Sequence, residues 1–221
     1  MLAPATISLS AAIDDQHLLG AALGDPASWQ VWRTGLRAAF GEALTFEELE
    51  VFRSIAGERS PPTKRVRELW AVVSRRAGKS RVAACIATHL AGLVDHSHLL
   101  SPGEVGTILV LAETQKQAKV IKNYIRGFFD SSPYLSQLIE DDTSEELRLT
   151  NAVVISVHPN NHKSVRGRTL LAVLMDEVSF WKDDNSSNPD LEVYRAILPS
   201  LATTGGLMIG ISSPYRRSGL L

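Results

Sequence analysis

Residues 69–80 read Leu-Trp-Ala-Val-Val-Ser-Arg-Arg-Ala-Gly-Lys-Ser, an apolar run followed by a basic loop that ends in Gly-Lys-Ser. A helix-like segment follows, and this arrangement binds nucleotide phosphates because loop N–H groups and the positive end of the helix dipole face the anion. Lys79 would then reach the β- and γ-phosphates, and the Ser80 hydroxyl would bind Mg²⁺. The residues predicted to bind the nucleotide are Arg75, Arg76, Ala77, Gly78, Lys79, Ser80 and Arg81.

The loop departs from the standard phosphate-binding pattern at its first position. That pattern has a glycine five residues before Gly78, where this chain has Val73. Glycine eases a tight turn there because it tolerates positive φ. Gly-Lys-Ser alone therefore leaves two interpretations open, a phosphate-binding loop and a basic, solvated turn before a helix.

Composition and charge limit the classes of protein to which the chain can belong. The chain has 221 residues, of which 44% are hydrophobic, so it can bury the core of one large domain. Its net charge of −1 gives no support for nucleic-acid binding. The single cysteine, Cys85, excludes an internal disulfide and is expected to be a buried apolar thiol. Without a basic N-terminal signal or a long apolar run, we expect a cytosolic protein that does not enter a membrane.

The N-terminal part of the chain is expected to be helical. Residues 1–45 predict two or three short helices, and Thr45 is typical of a helix N-cap followed by acidic residues. Ser60-Pro61-Pro62-Thr63 breaks that helix. We therefore place a boundary between a helical region, residues 1–63, and a core, residues 64–221. The residues expected on one buried face of the first region are Trp29, Trp32, Leu36 and Phe40.

Beyond this boundary, strand-like and helix-like segments alternate. Apolar runs without polar alternation indicate strands buried on both faces, and hence a mainly parallel central sheet flanked by helices. The fold class is therefore α/β. The predicted strands are 69–73, 107–111, 147–150, 153–157, 170–175 and 206–211, and the predicted helices are 78–94, 114–129, 134–139 and 191–201, the last cut short by Pro199.

An apolar strand, residues 170–175, ends in the pair Asp176-Glu177. Ligands of open α/β folds bind at the carboxyl edge of the sheet, where this pair would lie. Asp176 would hold Mg²⁺, directly or through water, opposite Ser80, and Glu177 would orient and deprotonate the attacking water. Either motif alone also fits an ordinary strand end or turn, but together they predict an ATPase.

Two further segments are candidates for the same site. Ser212-Ser213, after the last strand, would sense the γ-phosphate, although a simple Ser-Pro turn is the alternative. Arg166, before the Asp-Glu strand, would stabilise charge on the transferred phosphoryl group, although a surface loop is the alternative. His158 and His162 have zinc-like spacing, but Pro159 and two asparagines between them favour a loop, so zinc is not expected.

Taken in order, these segments resemble the ATPase domain of the large terminase subunit, the DNA-packaging motor of tailed bacteriophages. In that family the phosphate loop lacks its first glycine and carries an arginine. Residues 108–118 resemble the family's strand-to-helix turn, Arg166-Gly167 resembles a recurring feature before the Asp-Glu strand, and Ser212-Ser213-Pro214 resembles its coupling motif. The similarity covers about residues 45–217.

The resemblance implies a P-loop NTPase fold of the ASCE type and Mg²⁺-dependent ATP hydrolysis that drives double-stranded DNA into a viral procapsid. ATP and Mg²⁺ are the implied cofactors. The implied partners are double-stranded DNA, the portal protein, the procapsid and the small terminase subunit. The motor would act as a homo-oligomeric ring in the host cytoplasm, without a membrane.

The resemblance also implies roles for individual residues. Lys79 and Ser80 would bind phosphate and metal, Asp176 the metal, and Glu177 the attacking water. The implied catalytic residues are Glu177, Lys79 and Arg166, and the coupling residues are Ser212 and Ser213. Arg166 is the first candidate for an arginine finger, reaching the nucleotide of a neighbouring subunit. Arg75 or Arg76 could instead serve the γ-phosphate of the same subunit, and Arg168 also stays open.

The chain departs from the family in two respects. The family usually holds adenine with a Gln-containing or aromatic segment, but residues 45–63 contain no Gln, so the base contacts stay unassigned, with Phe46, Arg53 and Arg59 as candidates. Large terminases also carry a C-terminal nuclease, which we expect this chain to lack. Two alternative functions remain: another P-loop DNA motor, such as a helicase-like remodeller, and a nucleotide-binding module with negligible turnover.

Overall fold

One seven-stranded sheet dominates the computed structural model, which describes residues 6–160, 167–181, 189–215 and 220. Its strands are β1 (Glu68–Val72), β2 (Gly106–Ala112), β3 (Ile139–Asp142), β4 (Glu146–Leu149), β5 (Val153–Pro159), β6 (Thr169–Asp176) and β7 (Leu207–Ser212). They lie in the order β1-β7-β6-β2-β5-β4-β3. The pairs from β1 to β5 are parallel, and β4 and β3 extend the sheet antiparallel. The prediction of a mainly parallel sheet is confirmed.

Helices cover both faces of the sheet. They are α1 (Leu9–Asp14), α2 (Gly20–Leu23), α3 (Gln30–Ala39), α4 (Phe46–Ala56), α5 (Lys79–Gly92), α6 (Gln115–Asp130), α7 (Pro133–Ser136) and α8 (Pro189–Thr204). The larger apolar cluster joins α5, α6 and the N-terminal helices to one face, and a smaller cluster lies between α8 and the other face. Within the described residues, no helix has the length and apolarity needed to cross a membrane.

The N-terminal helices pack directly on the α/β core. Leu9, Ala12 and Leu36 belong to the same buried cluster as the residues of α5. The predicted cap of α4 forms a capping box, in which the Thr45 hydroxyl accepts from the Glu48 amide and the Glu48 carboxylate accepts from the Thr45 amide. The helical character of this region is confirmed, whereas a domain boundary at residue 63 stays a prediction.

Three predictions about single elements are wrong. β1 is not buried on both faces, because it lies at the edge of the sheet with Val72 56% exposed. The short helix predicted for residues 134–139 ends at Ser136, and Ile139 begins β3. α8 continues through Pro199 to Thr204, since Ile197 and Leu201 anchor it on both sides of a proline whose own position is exposed.

His89 connects the N-terminal segment to α5. Its side chain is buried, its Nε2 lies 2.8 Å from the carbonyl oxygen of Ile7, and its ring packs edge-on against Phe40. Burial lowers the pKa of His89 from 6.5 to about 4. The folded protein therefore needs a neutral imidazole at this position.

We expect this histidine to make the fold sensitive to acid. Unfolded His89 takes up a proton near its ordinary pKa of 6.5 and folded His89 only near 4, so its stabilisation is complete above about pH 6.5 and is lost as pH falls toward 4. The loss amounts to about 3 kcal/mol. In urea denaturation, His89→Gln should be less stable than the wild type at pH 7 but lose less stability between pH 6.5 and 4.5. The exposed His98 offers a control, and a His98→Gln variant as flat as His89→Gln would contradict the assignment.

Candidate functional site

The loop between β1 and α5 has the form that a phosphate-binding loop requires. Val73 stays extended, because its amide donates to the Ser212 carbonyl over 2.9 Å and so continues the pairing with β7. Positive φ falls instead on Arg76, at +65°, and on Gly78, at +77°. The missing first glycine is therefore explained: the turn of this loop lies farther along, and residue 73 does not need a left-handed conformation.

Lys79 lies where three separate parts of the chain meet. Its side chain is buried, and its Nζ donates to the Ser74 carbonyl over 3.0 Å and to the Ser213 hydroxyl over 2.8 Å. The same nitrogen lies 3.5 Å from Glu177 Oε1. The structure thus brings the predicted lysine, catalytic carboxylate and coupling residue into contact.

Asp176 and Ser80 also meet, as the sequence predicts. The Ser80 hydroxyl donates to Asp176 Oδ2 over 3.4 Å, and Asp176 Oδ1 is buried without a hydrogen-bond partner among the described residues. Burial, with a smaller contribution from Glu177, raises the pKa of Asp176 to about 6, although Lys79 and Ser80 oppose the shift.

An oxygen pair of this kind fits Mg²⁺. That ion prefers oxygen ligands and takes only one or two from the protein when phosphates and waters supply the rest. Within the described part of the chain, no group of three or more His, Cys, Asp or Glu residues could hold a metal by itself. Asp176 and Ser80 would therefore share the ion with the nucleotide. His158 is placed on β5, and His162 lies outside the described residues.

The two serines predicted as coupling residues, Ser212 and Ser213, hold the Glu177 carboxylate. Glu177 Oε2 accepts from the Ser213 amide over 2.8 Å and from the Ser212 hydroxyl over 3.3 Å. Its backbone is left-handed, with φ of +51°, and the next turn is tied back by the Ser179 amide, which donates to the Ser212 hydroxyl over 3.1 Å. The sequence placed both serines near the γ-phosphate, and the structure adds their contact with the predicted base.

The candidate arginines lie in different surroundings. Arg75 and Arg76 are exposed and line the cleft beside the loop. Arg81 stacks over the Trp29 ring at 5.4 Å and donates to the Ala22 carbonyl, so its side chain is directed toward the N-terminal helices. Arg168 contacts Glu146 and His158, at 3.3 Å and 3.4 Å, on the polar face of β4 and β5. Arg166 lies outside the described residues.

A cleft of about 1210 Å³ extends from the loop toward α3, α4 and β1. Of the three candidates for base contacts, Arg59 lines this cleft, whereas Phe46 and Arg53 do not. Its wall also contains apolar side chains that are open to solvent. These include Val31, Ile55, Val72 and Val120.

Sequence reasoning missed the position of two tryptophans. It placed Trp29 and Trp32 on a buried helix face, and both do pack against the larger core cluster. The structure also brings both rings against the phosphate loop, where the Trp32 indole N–H donates to the Ala77 carbonyl over 2.7 Å. No local pattern reveals this contact, because 45 residues separate the two groups.

Comparisons with known proteins agree with the geometry. The model of the family described as "Terminase large subunit, ATPase domain" matches residues 49–198. Comparison with curated proteins gives no match.

Among solved structures, the chain is similar to the large terminase of bacteriophage HK97 at 17% identity and a TM-score of 0.57, over 92% of this chain and 36% of that one. It is also similar to the ATPase domain of the Thermus phage P74-26 large terminase, at 19% identity and a TM-score of 0.52, over 83% of this chain and 70% of that one. The chain spans about a third of the length of the HK97 protein. Together with the family match, these likenesses confirm the predicted fold class, the P-loop fold of terminase ATPase domains.

The buried carboxylate of Asp176 should destabilise the protein in the absence of metal. Its pKa is raised from 3.8 to about 6, so the folded state holds the proton more tightly and stability falls as pH rises from about 4 to about 6. In EDTA at pH 7.5, Asp176→Asn should therefore raise the free energy of unfolding by about 2 kcal/mol, and this gain should shrink at pH 4.5. Urea denaturation would measure both values. The exposed Asp141 supplies the control, and a destabilised Asp176→Asn protein at pH 7.5 would contradict the electrostatic argument.

Proposed function

The chain belongs to the family of terminase large-subunit ATPase domains, and on that premise we propose that it hydrolyses ATP with Mg²⁺ to drive double-stranded DNA into a viral procapsid. One observation carries the proposal. Lys79 lies 3.5 Å from Glu177 Oε1, and Ser80 lies 3.4 Å from Asp176 Oδ2, although about 100 residues separate the partners in each pair. A phosphate-binding loop thus faces the carboxylates that a hydrolase needs.

Binding of the triphosphate would use the loop and its lysine. Amide groups of residues 74–80 and the N-terminus of α5 would surround the phosphates, and Lys79 would exchange its contacts with Ser74 and Ser213 for phosphate oxygens. Asp176 and Ser80 would hold Mg²⁺, which supplies charge neutralisation at the β- and γ-phosphates. Catalysis would rest mainly on positioning and electrostatic stabilisation.

Glu177 would act as the general base. A water in line with the γ-phosphorus would form the new P–O bond while the bond to the ADP oxygen breaks, and Glu177 would take the proton of that water. Because Glu177 shares Lys79 and Ser213 as partners, movement of the lysine toward phosphate would change the contacts of the base. The serines would in this way couple phosphate binding to Glu177 and to β7.

The wider assembly is part of the same proposal. Membership of the family supports a motor that works as a homo-oligomeric ring in the host cytoplasm, with double-stranded DNA, portal protein, procapsid and small terminase subunit as partners. An arginine from a neighbouring subunit would complete the site. Arg166 stays the first candidate for this finger. Arg168 already contacts Glu146 and His158 within its own subunit, so it would have to give up those contacts to serve.

Replacement of the proposed base should separate binding from chemistry. In Glu177→Gln the amide cannot accept the proton of water, so kcat should fall by about 100-fold or more. The dissociation constant of Mg·ATP should change by less than about threefold, because the loop and lysine remain. Phosphate release and isothermal titration calorimetry would measure the two quantities. Glu140→Gln, on the exposed edge strand, is the control, and unchanged turnover in Glu177→Gln would remove Glu177 from this role.

The contribution of a neighbouring subunit should be visible in the concentration dependence of turnover. If an arginine acts between subunits, the rate per subunit should rise with protein concentration, by about 1000-fold or more between monomer and ring. Steady-state phosphate release at increasing protein concentration measures this rise. A flat rate near zero, with Mg·ATP binding intact, would instead favour the nucleotide-binding module.

A further inference from the structure

We propose that Trp32, supported by Trp29, is a positioning residue that fixes the phosphate loop in its binding conformation. Helix α3 and the turn before it then belong to the nucleotide site and not only to a supporting region. This inference rests on the proposed function, since it needs the loop to bind phosphate.

The loop has unusual backbone geometry at two positions, on either side of Ala77. Arg76 and Gly78 both have positive φ, and Arg76 is not a glycine, so its conformation is strained. Such a conformation persists only where the surroundings fix it. Arg76 is also exposed, so few contacts of its own side chain can serve this purpose. The restraint must come from the groups around the backbone.

Trp32 holds the peptide group that joins Ala77 to Gly78. Its indole N–H donates to the Ala77 carbonyl over 2.7 Å, and Ala77 lies directly between Arg76 and Gly78. In a planar trans peptide the N–H of the next residue points opposite to the carbonyl. A fixed Ala77 carbonyl therefore fixes the direction of the Gly78 N–H, a donor that a phosphate-binding loop aims at its anion.

Trp29 contacts the same corner of the loop. A Cβ placed on Gly78 would lie 2.7 Å from two carbons of the Trp29 ring, so the ring excludes any side chain there. The ring itself is held by its N–H, which donates to the Leu23 carbonyl over 2.7 Å. Arg81, in the first turn of α5, stacks on it at 5.4 Å. Ala77, before Gly78, and Arg81, after it, therefore both contact tryptophans of the N-terminal region.

The arrangement serves binding because an ordered loop loses less conformational entropy when the anion arrives. Loss of the Trp32 hydrogen bond should leave the hydrophobic contacts of the ring in place but allow the Ala77 peptide to rotate. The cost would then appear in the affinity for nucleotide. It would appear much less in the chemical step, because a bound triphosphate restores the loop geometry.

Trp32→Phe tests this directly, since it keeps an aromatic ring and removes the N–H. Isothermal titration calorimetry with Mg·ATP should show a dissociation constant about fivefold higher than that of the wild type, as expected for one neutral hydrogen bond. The KM for ATP should rise similarly, while kcat at saturation should change by less than about twofold. Thermal unfolding without nucleotide would monitor the fold.

Trp70→Phe is the matched control. Trp70 belongs to β1, which borders the cleft, but its ring packs with the cluster on the opposite face of the sheet, and its N–H donates to the Glu68 carboxylate over 2.9 Å. Its replacement should leave the Mg·ATP dissociation constant unchanged. Equal affinity in Trp32→Phe and the wild type, or equal weakening in both variants, would overturn the inference. A wild-type protein that binds no Mg·ATP would overturn the proposed function together with it.

A second measurement covers the case in which Trp32→Phe does not fold. The four indole N–H signals of the wild-type chain can be followed by NMR and assigned with Phe variants at the other three tryptophans. On addition of Mg·ATP the Trp32 signal should shift and exchange more slowly with solvent, while that of Trp70 should stay in place. An unchanged Trp32 signal at saturating nucleotide would overturn the inference.

Discussion

The buried ammonium group of Lys79 is the interaction on which the site depends. A cation removed from water is tolerated only where oxygen atoms surround it, and here the Ser74 carbonyl, the Ser213 hydroxyl and the Glu177 carboxylate do so. The strand order explains why these groups can meet. β1, β7 and β6 are parallel neighbours, so their carboxyl ends lie at one edge of the sheet and present the loop, the serines and the carboxylates together.

Local sequence patterns predict most of the elements but not their order. The apolar runs identify the parallel strands, and Gly-Lys-Ser and Asp176-Glu177 identify the groups that meet at the sheet edge. No local pattern places β7, the last strand in the chain, between β1 and β6. β3 was also missed, because Ile139–Asp142 is a short and mostly charged edge strand without an apolar run. For α8 the prediction was wrong for the opposite reason. Pro199 predicted an early end, but the packing of the helix on both sides of the proline outweighs the effect of a local helix breaker.

The departures of the loop from the common pattern have a structural explanation. Val73 replaces a glycine without a backbone penalty, because it remains paired with Ser212 at the end of the sheet. The demanding backbone positions are Arg76 and Gly78, and the indoles of α3 and the preceding turn lie against them. The sequence of the loop alone would suggest that Val73 prevents the loop from binding phosphate. The backbone of the loop is instead restrained by tryptophans that lie more than 40 residues earlier in the chain, so no local motif includes them.

The contacts of Glu177 and of the turn after it link the end of β6 to the end of β7. The turn after Glu177 is joined to the last residue of β7 by the Ser179–Ser212 hydrogen bond, and to the segment after β7 by stacking of Phe180 on Tyr215 with ring centroids 4.4 Å apart. Lys79 contacts the same segment through Ser213. Any ligand that draws the lysine away must therefore change the contacts of the carboxylate and of the end of β7 together. Under the proposed function such coupling would be reciprocal, so a ligand that changed the contacts at the end of β7 would in turn alter the affinity of the loop for phosphate.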